Sequence, residues 1–238
     1  MIPKMHVGNI DKKDVPYMYE ILEKVEGTSL YNVWHTLNED ERENIIKQLC
    51  DSMKSFHSNK GKSYNWYEKC CLIFNDAYEK VKKLNVFDES EYSSIDNAYN
   101  KFSLYLDAND FVLVHNDLHF DNIIYNKGSI KLIDFERSLY APIDFELDII
   151  YRMIRKPWKF ASEENEQYTI PEDYENIMSY IEKYYPELIH IDNLYQRLAI
   201  YDIVYFLKQY VNAPQYDELK QDVLNAAKIV VGNQKVKL

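Results

Sequence analysis

Several side chains that can take part in acid–base or metal chemistry are crowded into one short stretch of the chain. Residues 115–122 read HNDLHFDN, and Asp134 follows after two apolar runs that are joined by a turn. Another apolar run, residues 111–114, precedes the loop. A loop that follows a buried strand and leads into a hairpin holds its side chains on a rigid base. A functional site is therefore expected here.

Two of the explanations for this loop do not involve phosphate. Asp and Asn are common in turns because their side chains bond the local backbone, so a polar loop needs no function. Alternatively, the alternation of histidine and aspartate at positions 115, 117, 119 and 121 would place four ligands on one face of an extended segment. Such a set suits zinc or iron in a metallohydrolase. The remaining histidines are scattered and do not support that site.

The spacing favours a third explanation, phosphoryl transfer. The loop matches H-x-D-L-x-x-x-N, and Asp134-Phe135-Glu136 follows the hairpin where protein kinases have D-F-G. Phosphoryl transfer needs a carboxylate to orient and deprotonate the attacking hydroxyl, and oxygen ligands for Mg²⁺ on the phosphates. The pattern predicts Asp117 as the base and Asn122 and Asp134 as magnesium ligands. His115 is expected to brace the loop through a backbone hydrogen bond.

The residues HNDLHFDN followed by IDFE resemble the aminoglycoside phosphotransferase and choline-kinase-like family. That family typically has H-G-D-L-H-x-x-N followed by I-D-x-E, so Asn116 stands where glycine is usual. The resemblance covers roughly residues 15–211 and implies an α+β, protein-kinase-like fold with a mostly helical C-lobe. It also implies Mg²⁺, ATP or GTP as phosphate donor, and a nucleotide hinge at Glu23, Lys24 and Val25.

The resemblance further implies that the acceptor binds over the C-terminal half of the chain. The candidate acceptor residues are Asp144, Glu146 and Trp158. With the acidic segment 163–166 they suit a cationic metabolite or an aminoglycoside-like acceptor, over which Trp158 would stack. Helix-start acids that complement the helix dipole, and a solvated acidic loop, explain the same residues equally well.

Composition limits the partners. The chain has 238 residues and a formal net charge of −11, which repels nucleic acids and anionic membranes. Its three cysteines show neither metal spacing nor a disulfide framework, and no apolar run is long enough to span a bilayer. A cytoplasmic protein that acts on a nucleotide and a small molecule is expected. The oligomeric state is not predicted.

The elements around the site are predicted from periodicity. Residues 1–26 are expected to form N-lobe strands, near 4–7 and 17–22, and the hinge; residues 27–238 should form the helical C-lobe. Helices are predicted near 39–57, 64–84, 91–106, 142–155, 172–184, 193–211 and 215–231. The N-terminal segment contains neither a G-x-G-x-x-G loop nor a lysine in a V-A-I-K-like strand. A catalytically impaired relative that binds a nucleotide or a partner is therefore the alternative.

Overall fold

A computed structural model describes residues 3–9, 11–13 and 15–232, and most of these residues lie in helices. The helices are α1 (Glu39–His57), α2 (Trp66–Leu84), α3 (Glu89–Tyr99), α4 (Phe102–Tyr105), α5 (Leu147–Arg155), α6 (Ile177–Tyr184), α7 (Pro186–Ile189), α8 (Leu194–Asn212) and α9 (Asp217–Val230). In the described part of the chain, seven short strands complete a mixed α+β fold, as predicted. Within the described ranges, no helix is both long and apolar enough to cross a membrane.

Helix α1 begins where its sequence signals predict. The Asn38 side chain accepts a hydrogen bond from the Glu41 backbone N–H, and the Glu41 carboxylate accepts one from the Asn38 backbone N–H. This reciprocal capping box satisfies two backbone donors that the helix start would otherwise leave free. Acidic residues in the first turn also complement the positive end of the helix dipole.

Replacing Asn38 with alanine is expected to lower the free energy of unfolding by about 1 kcal/mol, because the capping hydrogen bond is lost. Urea denaturation followed by circular dichroism measures this change. Asn44→Ala, at an exposed position inside the same helix, is the matched control. It should be neutral or slightly stabilising, since alanine is the better helix former. Equal losses in the two variants would contradict the capping role.

Helix α8 lies at the centre of the C-lobe and packs against α2, α5 and α9. Its buried positions lie on more than one face and include Leu198, Ile203 and Leu207. The predicted third helix is divided instead into α3 and α4, because the chain turns at Asn100 and Lys101. The helices predicted near 39–57, 64–84, 193–211 and 215–231 lie within about two residues of their predicted bounds, whereas the one predicted near 172–184 begins only at Ile177.

The strands form three small antiparallel sheets. β1 (Met5–Gly8) pairs with β2 (Glu20–Leu22). β3 (Thr28–Ser29), β5 (Ile123–Asn126) and β6 (Ser129–Leu132) form the second sheet, and β4 (Phe111–Val114) pairs with β7 (Leu139–Pro142). The β5–β6 pair is the predicted hairpin, and its sheet continues into the segment that follows the predicted hinge.

Strand β7 corrects the prediction of a helix from residue 142 to 155. Pro142 is the last residue of β7 and lies opposite Phe111 in the β4–β7 pair. A 3-10 turn covers Ile143–Glu146, and α5 begins only at Leu147. The helix starts late because the chain after the catalytic hairpin first pairs with β4, a long-range contact that local periodicity does not report.

The N-terminal strand pair is tied to the hairpin at Gly27. The φ angle of Gly27 is 138°, and a Cβ atom there would lie 2.4 Å from the backbone oxygen of Tyr125. Only glycine allows so close an approach in this conformation. The segment that follows the predicted hinge therefore packs closely against strand β5, with which β3 pairs.

Candidate active site

Strand β4 and the buried His115 fix the start of the catalytic loop. β4 is almost fully buried and ends one residue before His115, whose side chain is completely buried. The His115 ring Nε2 lies 2.8 Å from the backbone oxygen of Ile133. The contact is the kind of backbone hydrogen bond predicted from the sequence. It ties the loop to the residue immediately before Asp134.

Asn116 turns the chain so that Asp117 faces solvent. The φ angle of Asn116 is 62°, in the left-handed region that asparagine tolerates better than most residues. This conformation explains why asparagine can replace the glycine that is usual at this position. The Asn116 side chain also donates a hydrogen bond to the backbone oxygen of Arg137, at 3.1 Å.

The Asp117 carboxylate lies between the imidazole of His119 and the guanidinium of Arg137 without being hydrogen-bonded to either. His119 Nε2 lies 3.9 Å from Asp117 Oδ1, and Arg137 Nε lies 3.7 Å from Asp117 Oδ2. Both distances exceed a hydrogen bond. The carboxylate is partly exposed, so a bound molecule could reach it from solvent.

Asn122 directly precedes β5 and Asp134 follows β6 after one intervening residue, so the pairing of the two strands brings their backbones close. The Asn122 side-chain NH₂ donates to the backbone oxygen of Asp117 at 2.7 Å, which leaves its Oδ1 atom to bind a cation. The Ile133 N–H donates to the backbone oxygen of Asn122 at 3.0 Å. Asp134, with φ 62°, follows directly and exposes its carboxylate. One amide oxygen and one carboxylate suit Mg²⁺, which usually keeps water and phosphate oxygens as its other ligands.

The alternating histidines and aspartates of the loop do not converge on one point, which argues against the metallohydrolase. His115 contacts Ile133, whereas Asp121 accepts a hydrogen bond from Ser29 Oγ at 2.6 Å. Burial lowers the pKa of His119, which keeps its imidazole neutral near pH 7. Among the described residues, no group of three or more histidine, cysteine, aspartate or glutamate side chains is placed to hold a metal ion.

The predicted hinge lies against the hairpin. Lys131 Nζ, on β6, lies 2.6 Å from Glu23 Oε1, and this hydrogen bond is the main cause of a lowered pKa of Glu23. The Glu23 backbone N–H already donates to the Lys4 backbone oxygen at 2.7 Å. Of the three predicted hinge residues, Lys24 and Val25 are the ones left to offer backbone N–H groups to a base.

Comparison with known proteins assigns this arrangement to a family. The family model described as "Phosphotransferase enzyme family" (APH) matches residues 1–178. This chain belongs to that family. None of the curated proteins compared with the sequence matches it significantly.

Solved phosphotransferase structures share the fold. Aminoglycoside phosphotransferase APH(4)-Ia superposes with a TM-score of 0.64 at 17% identity, over 99% of this chain and 77% of its own. ADP-bound APH(2'')-Ib gives 0.63 at 15% identity, over 96% of this chain and 76% of its own. The gentamicin complex of APH(2'')-IIa superposes with a TM-score of 0.60 at 14% identity, over 98% of this chain and 74% of its own. At such identities the likeness shows the kinase-like fold alone.

Two residues predicted to bind the acceptor are structural in this member of the phosphotransferase family. Asp144 and Glu146 are 2% and 1% exposed. The Arg197 guanidinium donates to both oxygens of Asp144 at 2.8 and 2.7 Å. Glu146 accepts from the His115 backbone N–H at 2.9 Å and lies 3.0 Å from His57 Nε2. Each carboxylate is buried and holds neighbouring elements together, so this structure does not offer either one to an acceptor.

Trp158 and the acidic segment 163–166 remain on the surface of the phosphotransferase. Trp158 is 37% exposed, and Phe160, two residues later, lies 6.1 Å from the His119 ring. The segment that contains them therefore borders the catalytic loop. A role for Trp158 in acceptor binding stays a prediction.

Arg137 is a neighbour of Asp117 that the sequence motifs did not predict. It is the third residue after Asp134, and its Nε atom lies 3.7 Å from Asp117 Oδ2. Its place in the same motif as Asp134 was the available signal. Its distance from Asp117 becomes clear only when the hairpin is folded back on the loop.

Proposed function

We propose that this chain transfers the γ-phosphoryl group of ATP or GTP to a hydroxyl of a small molecule. The placement of Asp117, Asn122 and Asp134 carries the proposal. The partly exposed Asp117 carboxylate lies on the loop, and the hydrogen bond from the Ile133 N–H to the backbone oxygen of Asn122 brings the backbone of Asn122 close to that of Asp134. Membership of the phosphotransferase family supports the same reaction class. Structural relatives have been solved with ADP and with AMP-PNP.

In the proposed mechanism Asp117 accepts the proton of the acceptor hydroxyl. The hydroxyl oxygen forms a bond to the γ-phosphorus, the bond from that phosphorus to the β–γ bridging oxygen breaks, and the nucleoside diphosphate leaves. Asn122 and Asp134 would hold Mg²⁺, which neutralises charge on the phosphate oxygens. His115 positions the loop, and Lys24 and Val25 would pair with the nucleotide base.

A cytoplasmic location is part of the proposal. The three cysteines, Cys50, Cys70 and Cys71, are free and buried, which is usual in a reducing compartment. Cys50 and Cys70 are unreactive at neutral pH, because burial raises the pKa of each thiol to about 12.

Nucleotide binding without transfer is the alternative function. Within the described residues, only the two-stranded β1–β2 sheet precedes Gly27. No glycine-rich loop or strand lysine in that segment can grip the phosphates. ADP or GDP release in the presence of an acceptor separates the two functions.

Titration of Mg-ATP and Mg-GTP by calorimetry tests the proposal. At least one nucleotide should bind, and Asp134→Ala should weaken its binding by about tenfold or more, because a metal ligand is lost. Chelation of Mg²⁺ should have a similar effect on the unchanged protein. The control is Glu187→Gln, at an exposed acid on α7, which should bind normally. No heat and no thermal shift with either nucleotide would contradict the proposal.

A further inference from the structure

A cavity of about 460 Å³ opens beside the catalytic loop. Asn116 and Arg137, which flank Asp117, form one end of it, and helices α2, α5 and α8 form its walls. Its size suits a small metabolite. Trp66, Ile73 and Tyr205 supply apolar surface. A hydroxyl compound bound here would lie close to the proposed base.

The charged side chains of this acceptor cavity are mostly positive. Four cationic residues line it, namely Lys69, Arg137, Arg152 and Lys208, against a single carboxylate, Asp148. Asp148 is already neutralised, because the Arg152 guanidinium donates to both of its oxygens. Arg137 lies 3.7 Å from the Asp117 carboxylate. Lys69 and Lys208 are therefore the cationic residues of the wall that no carboxylate in the described part of the chain balances.

The contacts of the two lysines leave their charges available. Lys69 Nζ lies 3.0 Å from the Tyr64 hydroxyl and over the Tyr64 and Trp66 rings, and none of these groups is anionic. Lys208 is exposed, and its ammonium forms no ion pair or hydrogen bond with any residue in the described part of the chain. Both ammonium groups can therefore bind an incoming anion.

Arg152 provides a buried donor in the same wall. Its side chain is 4% exposed, and its Nε–H has no hydrogen-bond acceptor among the described residues. A buried, unsatisfied N–H is costly unless it finds an acceptor. The wall of this cavity has an excess of positive charge, whereas the chain as a whole carries a net charge of −11. The cavity thus differs in sign from the protein that surrounds it.

We propose that the phosphoryl acceptor is a hydroxyl compound that carries a carboxylate or phosphate group. Its anionic group binds between Lys69 and Lys208, and its hydroxyl is presented to Asp117. This inference rests on the proposed transfer reaction and names its acceptor class. The sequence led us to expect a cationic acceptor. That expectation depended on Asp144 and Glu146, which are buried, and on the acidic segment 163–166, which does not line this cavity.

Matched compounds test the acceptor class. The three-carbon set is glycerate, glycerol 3-phosphate, glycerol and 3-amino-1,2-propanediol; the six-carbon set is gluconate, glucose 6-phosphate, glucose and glucosamine. Binding to the full chain is measured by calorimetry without nucleotide. In at least one set, an anionic member should bind more tightly than the neutral and amine members. Rising salt should weaken this binding. No preference for anions in either set, or a preference for amines, overturns the proposal.

Charge reversal locates the binding. Lys208→Glu should weaken binding of the preferred anion by about tenfold or more, because a charge-assisted contact becomes a repulsion. The control is Lys83→Glu, at an exposed position on α2 away from the cavity, which should bind normally. Thermal unfolding checks that both variants fold. Equal affinities in the two variants would overturn the site.

The two proposals fail in different ways. Selective binding of an anion with no transfer from Mg-ATP or Mg-GTP to any compound would sink the phosphotransferase proposal and leave the anion site standing. Transfer to amine acceptors without any preference for anions would leave the reaction standing and sink the acceptor class.

Discussion

Asp117→Asn should lower the rate of phosphoryl transfer by about 10²- to 10⁴-fold, which is the usual contribution of a general base. The substitution keeps the shape of the side chain and removes its ability to take a proton. Because no hydrogen bond to the Asp117 carboxylate holds the loop together among the described residues, the fold should be unaffected. Asp117→Ala should lose turnover to a similar extent.

The measurement is nucleoside diphosphate release at saturating Mg-nucleotide. Nucleotide affinity, measured separately by calorimetry, should stay within a few-fold, since Asn122 and Asp134 are intact. Asp110→Asn, at an exposed position at the start of β4, serves as the control and should keep full activity. Unchanged turnover in Asp117→Asn would exclude its role as the base.

Asp144→Ala should lower the free energy of unfolding by about 3–5 kcal/mol, because it leaves the buried Arg197 charge without its partner. The carboxylate also accepts a hydrogen bond from the Tyr201 hydroxyl at 2.7 Å. Burial raises the pKa of Tyr201 well above its ordinary value, so the hydroxyl stays protonated and continues to donate. Urea denaturation measures the loss.

A milder variant keeps this test decisive if Asp144→Ala fails to fold. Tyr201→Phe removes one hydrogen bond to Asp144 and should cost about 1–2 kcal/mol. Glu163→Ala, an exposed acid, should change stability by less than about 0.5 kcal/mol. The opposite result would be an Asp144 variant that is as stable as the unchanged protein but has an altered KM for the acceptor. That result would support a role for Asp144 in acceptor binding.

The catalytic loop was predictable because its information is local. Two linked motifs specify the order of Asp117, Asn122 and Asp134, and a short hairpin is enough to bring the last two together. The cap of α1 was predictable for the same reason, since Asn38 and Glu41 lie within one helical turn. In motifs of this kind the interacting residues are close in sequence, so their relative positions can be predicted without knowing how the rest of the chain folds.

The acceptor side was not predictable because its geometry depends on distant parts of the chain. Asp144 looks like a free acid until Arg197, on α8, is placed beside it. The positive cavity brings together Lys69 from α2 and Lys208 from α8. Neither lysine belongs to a motif, and the net charge of the whole chain points in the opposite direction. Long-range packing decides the sign of that surface.

Asn116 and Asp134, in the proposed active site, both have a left-handed backbone conformation, which lowers the stability of the folded protein. Each non-glycine residue held in this conformation costs roughly 1–3 kcal/mol. The hydrogen bond from the His115 ring to the Ile133 backbone oxygen joins the residues that directly precede these two positions. The loop is therefore a place where the protein gives up some thermodynamic stability for a fixed reaction geometry.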